Sequence, residues 1–176
     1  FEMDDRYTAY DVDGIVESGL DFGKNLVRIN LKDAGSVDTL EATALAVSDA
    51  ADAELPIMLE PFMSEWVDGK IVNDLSPDAV ILSIAIASGL GNSSAYSWLK
   101  LPVVPEMERV MASTTLPTLL LGGDPTGDAE ETFASWAAAL ALPGVRGLVV
   151  GRSLLYPADG DVASAIDTAA ALVHGS

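Results

Sequence analysis

Residues Ala95 to Pro105 read AYSWLKLPVVP, an aromatic and β-branched run bounded by a polar turn before it and prolines after it, the pattern of a buried strand. One amine lies inside it. Keeping an amine charged among apolar neighbours is costly, and a neutral buried amine is the form that attacks a carbonyl to make a Schiff base. Lys100 is therefore the first candidate for covalent chemistry. The plainer alternative places Lys100 at a strand end, with its head carried to solvent or to a carboxylate.

Outward from this stretch the chain alternates strand and helix. Four further segments read as strands: Gly23 to Leu31 (GKNLVRINL), Pro56 to Phe62 (PIMLEPF), Pro117 to Leu121 (PTLLL) and Gly147 to Gly151 (GLVVG). Helical spacing is expected from Tyr7 to Gly19, from Ser36 and Asp38 to about Ala53, and from Ser76-Pro77-Asp78 to Gly89. It recurs from Glu106 to about Ala112, from Asp128 to Leu140 and from Asp161 to about Val173. SEWVDGKIV, after the PIMLEPF strand, reads as a hairpin on the Asp68-Gly69 turn, the kind of excursion in which a site or lid usually lies.

Apolar strands alternating with helices indicate a parallel sheet covered by helices, either an open doubly wound sheet or a (β/α)8 barrel. A barrel takes about 250 residues. The 176 residues here would then be the C-terminal part of one barrel domain, supplying about the last five βα units, with the N-terminal half from the same protein. The chain starts at Phe1, and an N-terminal piece is expected to be missing.

Composition narrows the functions. With 27 acidic against 9 basic residues and a net charge of −18, neither nucleic acid nor an anionic membrane is an expected partner. An anionic substrate stays open, because glycine-rich turns bind phosphate locally. Cysteine is absent and the only histidine is His174, which leaves no material for thiolate catalysis, a histidine metal centre or a Ser-His-Asp triad. His174 is expected to be a cation at a helix C-terminus. No long apolar span or signal peptide is visible, so a cytoplasmic location is the default.

Two constellations could carry chemistry. Lys24 with Arg28, then Glu60, then Lys100 place ionisable residues in three strands, and in adjacent parallel strands such residues converge on one pocket. Lys24 and Glu60 could equally be a plain salt bridge. Alternation puts Lys24, Leu26, Arg28 and Asn30 on one face, so Arg28 rivals Lys24 as the second cation. The second constellation is Gly122-Gly123 and Gly151-Arg152-Ser153, which follow the last two strands where barrels commonly bind phosphate. Gly89-Leu90-Gly91 precedes a strand and lacks a third glycine in register, so it does not read as a dinucleotide fingerprint.

The series GKNLVRIN, PIMLEPF, WLKLPVV, LLLGGD and GLVVGRSLL resembles the second half of class I, Schiff-base aldolases of the tagatose-bisphosphate and DhnA type. It looks closest to an actinobacterial aldolase-like (β/α)8 family associated with inositol catabolism and sometimes labelled deoxyribose-phosphate aldolase. The second lysine that true deoxyribose-phosphate aldolases carry on strand seven has no counterpart in LLLGGD. The resemblance implies that Lys100 is the Schiff-base lysine, Glu60 the proton shuttle and Lys24 the second lysine. It further implies that Gly122, Gly123, Gly151 and Arg152 form the phosphate-binding turns for a phosphorylated sugar, and Arg28 and Ser153, from the two constellations, are expected to bind the same substrate. No metal or cofactor is implied, and a homo-oligomer is compatible, since Schiff-base aldolases often assemble. The alternatives are a non-covalent sugar-phosphate isomerase or epimerase using Glu60 as base, and a non-catalytic phosphosugar-binding barrel.

Overall fold

The computed structural model describes residues 3–123 and 128–175. Its first elements are α1 (Val12–Glu17), β1 (Gly23–Ile29), α2 (Gly35–Asp52), β2 (Ile57–Val67), β3 (Lys70–Asn73) and α3 (Pro77–Ala87). β4 (Ser97–Leu101), α4 (Met107–Met111), β5 (Thr118–Leu121), α5 (Ala129–Leu140), β6 (Val145–Val149), α6 (Arg152–Leu155) and α7 (Val162–His174) follow. The parallel order is β1-β2-β4-β5-β6, with β3 paired antiparallel to β2. Each parallel strand lies beside its predecessor, with no reversal in the order. A doubly wound sheet turns back at a switch point, so this is the winding of a barrel sheet. Among the described residues no helix is long and apolar enough to cross a membrane.

The two faces of the sheet have different work. Ile57 and Leu59 of β2, Leu99 and Leu101 of β4, and Leu120 of β5 point outward into one apolar cluster. Val47 and Ala50 of α2, Val80 and Ile84 of α3, Val110 of α4 and Ala139 of α5 meet them there. Because side chains alternate along a strand, the residues between them face the other way. Lys24, Leu26 and Arg28 of β1, Met58, Glu60 and Phe62 of β2, and Trp98 and Lys100 of β4 share that inner face.

Several boundaries differ from the sequence expectation, each for a local reason. The first helix is only Val12–Glu17, started by Asp11, whose carboxylate accepts from Gly14 N–H at 2.8 Å. β1 stops at Ile29 because the Asn30 side chain accepts from Lys32 N–H at 2.9 Å and turns the chain. Ser36 does not cap α2. Its hydroxyl accepts from Asn30 N–H at 2.8 Å and donates to Asn30 O at 2.9 Å, pinning the helix start to the end of β1. β2 does not end at Phe62 but runs straight into the hairpin, with Ser64–Val67 opposite Lys70–Asn73. Asp68 and Gly69 both have positive φ there, 50° and 75°, as a two-residue type I′ turn requires. β6 begins at Val145, two residues before the expected start, and Arg146 is extra in its pairing, since Thr118 faces Val145 and Leu119 faces Gly147. α6 was not anticipated. Ser76 caps α3 with Pro77 in its first turn, and His174 stands in the last turn of α7, both as read.

Gly91 has a packing role. Its φ is +80°, and a Cβ added there would stand 2.6 Å from Val47 Cγ1 and 3.2 Å from Ala44 O. Overpacking costs roughly 1–3 kcal/mol, and left-handed backbone adds about 1–2 kcal/mol for a residue with a Cβ. Gly91→Ala is expected to lose about 2–4 kcal/mol in denaturant unfolding of the intact protein. Val47→Ala in the same chain should recover part of that loss, and strict additivity of the two changes would refute the contact.

Candidate active site

Glu60 sits in the middle of β2, opposite Leu26 of β1. The β2–β4 register pairs Leu59 with Leu99, so the next residues on the inner face, Glu60 and Lys100, are side by side. Lys100 Nζ lies 3.1 Å from Glu60 Oε1, and Lys24 Nζ is paired with Glu60 Oε2. The carboxylate side chain is 11% exposed, that of Lys100 15% and that of Lys24 42%. Both parts of the earlier alternative therefore hold in the geometry. Lys24 and Glu60 form an ion pair, and the same carboxylate also reaches Lys100, the next-to-last residue of β4, whose head is thus carried to a carboxylate rather than to solvent, one branch of the plainer alternative. A single carboxylate between two amines satisfies both, and buried charge persists in proteins only with such partners.

Lys24 starts lower in the sheet, opposite Met58, and climbs to Glu60 on its four-carbon stem. Toward the N-terminal ends of the strands, Phe22 and Trp98 meet edge to face, with centroids 5.3 Å apart. Such pairs add to area burial alone.

Arg28 is not brought to Glu60. Its Nε donates to both carboxylate oxygens of Asp5, at 3.0 and 3.1 Å, and its backbone N–H donates to the same carboxylate at 2.8 Å. The Asp5 hydrogen bonds raise the Arg28 guanidinium above its ordinary value. Asp5 is fixed in turn by its own N–H, which donates to Thr39 Oγ1 at 2.9 Å. Of the two rival cations, Lys24 is the one that meets the carboxylate.

The turns after β5 and β6 converge. A cavity of about 510 Å³ is lined by Glu60 and Leu26 together with Gly122, Gly123 and Arg152, so one space joins the carboxylate to both turns. Ser153 Oγ donates to Gly122 O at 3.1 Å and ties the start of α6 to the end of β5. Gly122 is needed for that approach, because a Cβ there would stand 2.9 Å from Val150 Cγ1. Gly123 has a φ of +69° with open space around it, and Gly151 too has open space where a Cβ would go. Arg152 forms no ion pair among the described residues. Asp124, which completes the GGD turn, lies outside them.

Sequence reasoning missed Asn73 and Trp136 in the lining of this cavity, and Ser64, which bonds to Asn73. Ser64 continues the parity of Glu60 and Phe62, so an unbroken β2 would have revealed it. A larger cavity of about 740 Å³ lies between α1, α2 and the outer face of β1. It is on the opposite side of the sheet from Glu60 and includes none of the expected site residues.

A parallel sheet wound in chain order, with helices alternating between its strands, is an α/β fold of the (β/α) barrel kind. An archaeal fructose 1,6-bisphosphate aldolase is similar with a TM-score of 0.77 at 20% identity, covering 97% of this chain and 64% of that one. A second archaeal structure, described with its catalytic Lys covalently bound to the carbinolamine intermediate of the substrate, gives 0.76 at 22% identity, covering 94% and 62%. At these identities the likeness is one of fold. The Cgl0159-like family model matches residues 1–170, and the chain belongs to that family. The crystal structure of Cgl0159 from Corynebacterium glutamicum is 71% identical, with a TM-score of 0.93 over 96% of this chain and 57% of that one. The chain thus spans less than two thirds of the length of each of these structures. No curated protein matches it.

If Asp5 serves to hold Arg28, removing the acid is worse than removing both partners. Asp5→Ala is expected to cost about 1–3 kcal/mol, the range for hydrogen bonds to charged groups, while Asp5→Ala with Arg28→Met costs less. Arg28→Met alone completes the cycle, and a double variant whose loss equals the sum of the two single losses in calorimetric unfolding would show that the pair carries no coupling.

Proposed function

We propose that the protein is a class I aldolase that makes or breaks a carbon–carbon bond in a phosphorylated sugar through a Schiff base on Lys100. The observation that carries this reading is the 3.1 Å contact between Lys100 Nζ and Glu60 Oε1, beside a cavity that Glu60 shares with the glycine turns and Arg152. The fold likeness to Schiff-base aldolases supports it. In this reading the five parallel strands are the later units of a (β/α)8 barrel, and the remaining units come from the same protein.

The chemistry follows from the arrangement. The Lys100 amine attacks the substrate ketone, and the carbinolamine loses water to give an iminium. Glu60 accepts the proton of the substrate hydroxyl as the carbon–carbon bond breaks, and the bonding pair moves toward the iminium nitrogen to give an enamine. The enamine carbon is reprotonated after the aldehyde leaves, and water releases the second product from Lys100. Because the iminium is the electron sink, the scheme calls for no metal. Lys24 holds the second oxygen of Glu60 and so fixes which oxygen faces Lys100. Gly122, Gly123, Gly151 and Ser153 would offer N–H and hydroxyl donors to the phosphate, and Arg152 a full charge. Arg28, already engaged by Asp5, would contribute field rather than direct contact.

Borohydride added to the intact protein with dihydroxyacetone phosphate is expected to fix a mass adduct on the peptide bearing Lys100. Lys100→Met should lose both adduct and turnover; turnover that survives this change would favour a non-covalent isomerase with Glu60 as base. Glu60→Gln is expected to keep the adduct and reduce turnover by about 10²–10⁴-fold, the usual worth of a positioned acid–base group. An unchanged rate in that variant would remove Glu60 from proton transfer.

A further inference from the structure

The hairpin that extends β2 carries a side chain back over the site. Glu60, Phe62 and Ser64 share one face of β2 by strand parity, and the β2–β3 register sets Asn73 directly opposite Ser64. Cross-strand partners put their side chains on the same face, so Asn73 is delivered to the side where Glu60 lies. It lines the cavity that also holds Glu60 and Arg152. Ser64, 6% exposed, donates its hydroxyl to Asn73 Oδ1 at 2.9 Å. That bond occupies the acceptor end of the amide. Among the described residues the Asn73 NH2 donates to nothing.

The chain around Asn73 is held in place. Asp74 N–H donates to Met63 O at 2.8 Å, and the Trp66 indole, one turn further out, donates to Asp33 at 2.9 Å. The latter bond is the largest cause of the lowered Asp33 carboxyl. An amide fixed at its oxygen, with its two N–H bonds unspent at a cavity wall, is a ready donor for a ligand oxygen.

We infer that Asn73 is a substrate-binding residue, donating from its amide NH2 to a hydroxyl or phosphate oxygen of the sugar phosphate, and that Ser64 is the positioning residue that orients it. This inference rests on the proposed sugar-phosphate site and adds a recognition element from the hairpin rather than from the barrel strands.

The test compares wild type, Asn73→Asp, Asn73→Ala and Ser64→Ala in the intact protein. Each is read by calorimetric binding of dihydroxyacetone phosphate and, separately, by borohydride trapping at Lys100. Asn73→Asp keeps an acceptor for Ser64, so the hairpin stays closed, but it replaces the donor with a carboxylate facing the anion. It is expected to weaken binding more than tenfold, and Asn73→Ala about tenfold, the loss of one hydrogen bond to a charged group. Ser64→Ala should weaken binding by a smaller factor while the trapped fraction at saturation stays at the wild-type level, as orientation rather than chemistry is lost. Wild-type affinity in both Asn73 variants overturns the inference and leaves the aldolase reading standing. Binding without trapping in wild type removes the Schiff base, while the variant affinities still decide the role of Asn73. No binding by wild type overturns both.

Discussion

The site depends on one buried carboxylate that serves two amines. Glu60, 8% exposed, would be costly as an isolated ion, and so would Lys100. Together they are tolerable, because each satisfies the other at hydrogen-bond distance and Lys24 takes the remaining oxygen. Counted formally, two lysines and one glutamate leave the trio an excess of one positive charge. That excess matters in a chain of net charge −18, where the mean field repels anions. Three of the nine basic residues, Lys24, Lys100 and Arg152, stand on the inner face of the sheet or at the start of α6, while a fourth, Arg28, is paired with Asp5. An anion would meet local attraction there and repulsion elsewhere, which is a steering arrangement rather than a contradiction.

Strand register makes this clustering possible. A one-residue slip of β4 against β2 would send Lys100 into the helix layer and Leu99 or Leu101 into the cavity. The slip is opposed by the outer face: Leu59, Leu99, Leu101 and Leu120 are all fully buried against helices, and no polar residue could replace them there cheaply. The apolar cluster on one side of the sheet thus enforces the placement of charge on the other. Packing and chemistry are linked through the two-residue period of the strand.

What the sequence disclosed follows the same division. Signals that act within a few residues were legible: the Asp68-Gly69 turn, the Ser76 cap with its proline, the lysine in an apolar strand. Parity puts Lys24 and Arg28 on one face of their strand, and the convergence of Lys24, Glu60 and Lys100 follows only once the three strands are taken as parallel neighbours. Signals that depend on a distant partner were not legible. Nothing near Arg28 announces that Asp5, 23 residues earlier in an irregular segment, will neutralise it. Ser36 looked like a helix cap, yet its hydroxyl serves Asn30 across the turn. Asn73 is hidden when PIMLEPF is read as a strand that ends at Phe62. Once β2 is read as continuous, Ser64 and its cross-strand partner fall on the face of Glu60.

The glycine turns show how a residue can be needed for one reason and useful for another. Gly122 is glycine because β5 and the chain after β6 pass so closely that a methyl group would strike Val150. That closeness lets Ser153 reach Gly122 O and hold the start of α6, with Arg152, against the turn. The backbone of this corner is therefore set by packing and one hydrogen bond, with no ligand needed to shape it. A site already shaped loses less conformational freedom on binding than one assembled by the ligand. The hairpin adds the same economy from the other side, since Ser64 fixes the Asn73 amide by a hydrogen bond of the fold itself. Both walls of the cavity are built by contacts that stabilise the fold in their own right, and the Lys100–Glu60 pair beside them inherits a fixed geometry.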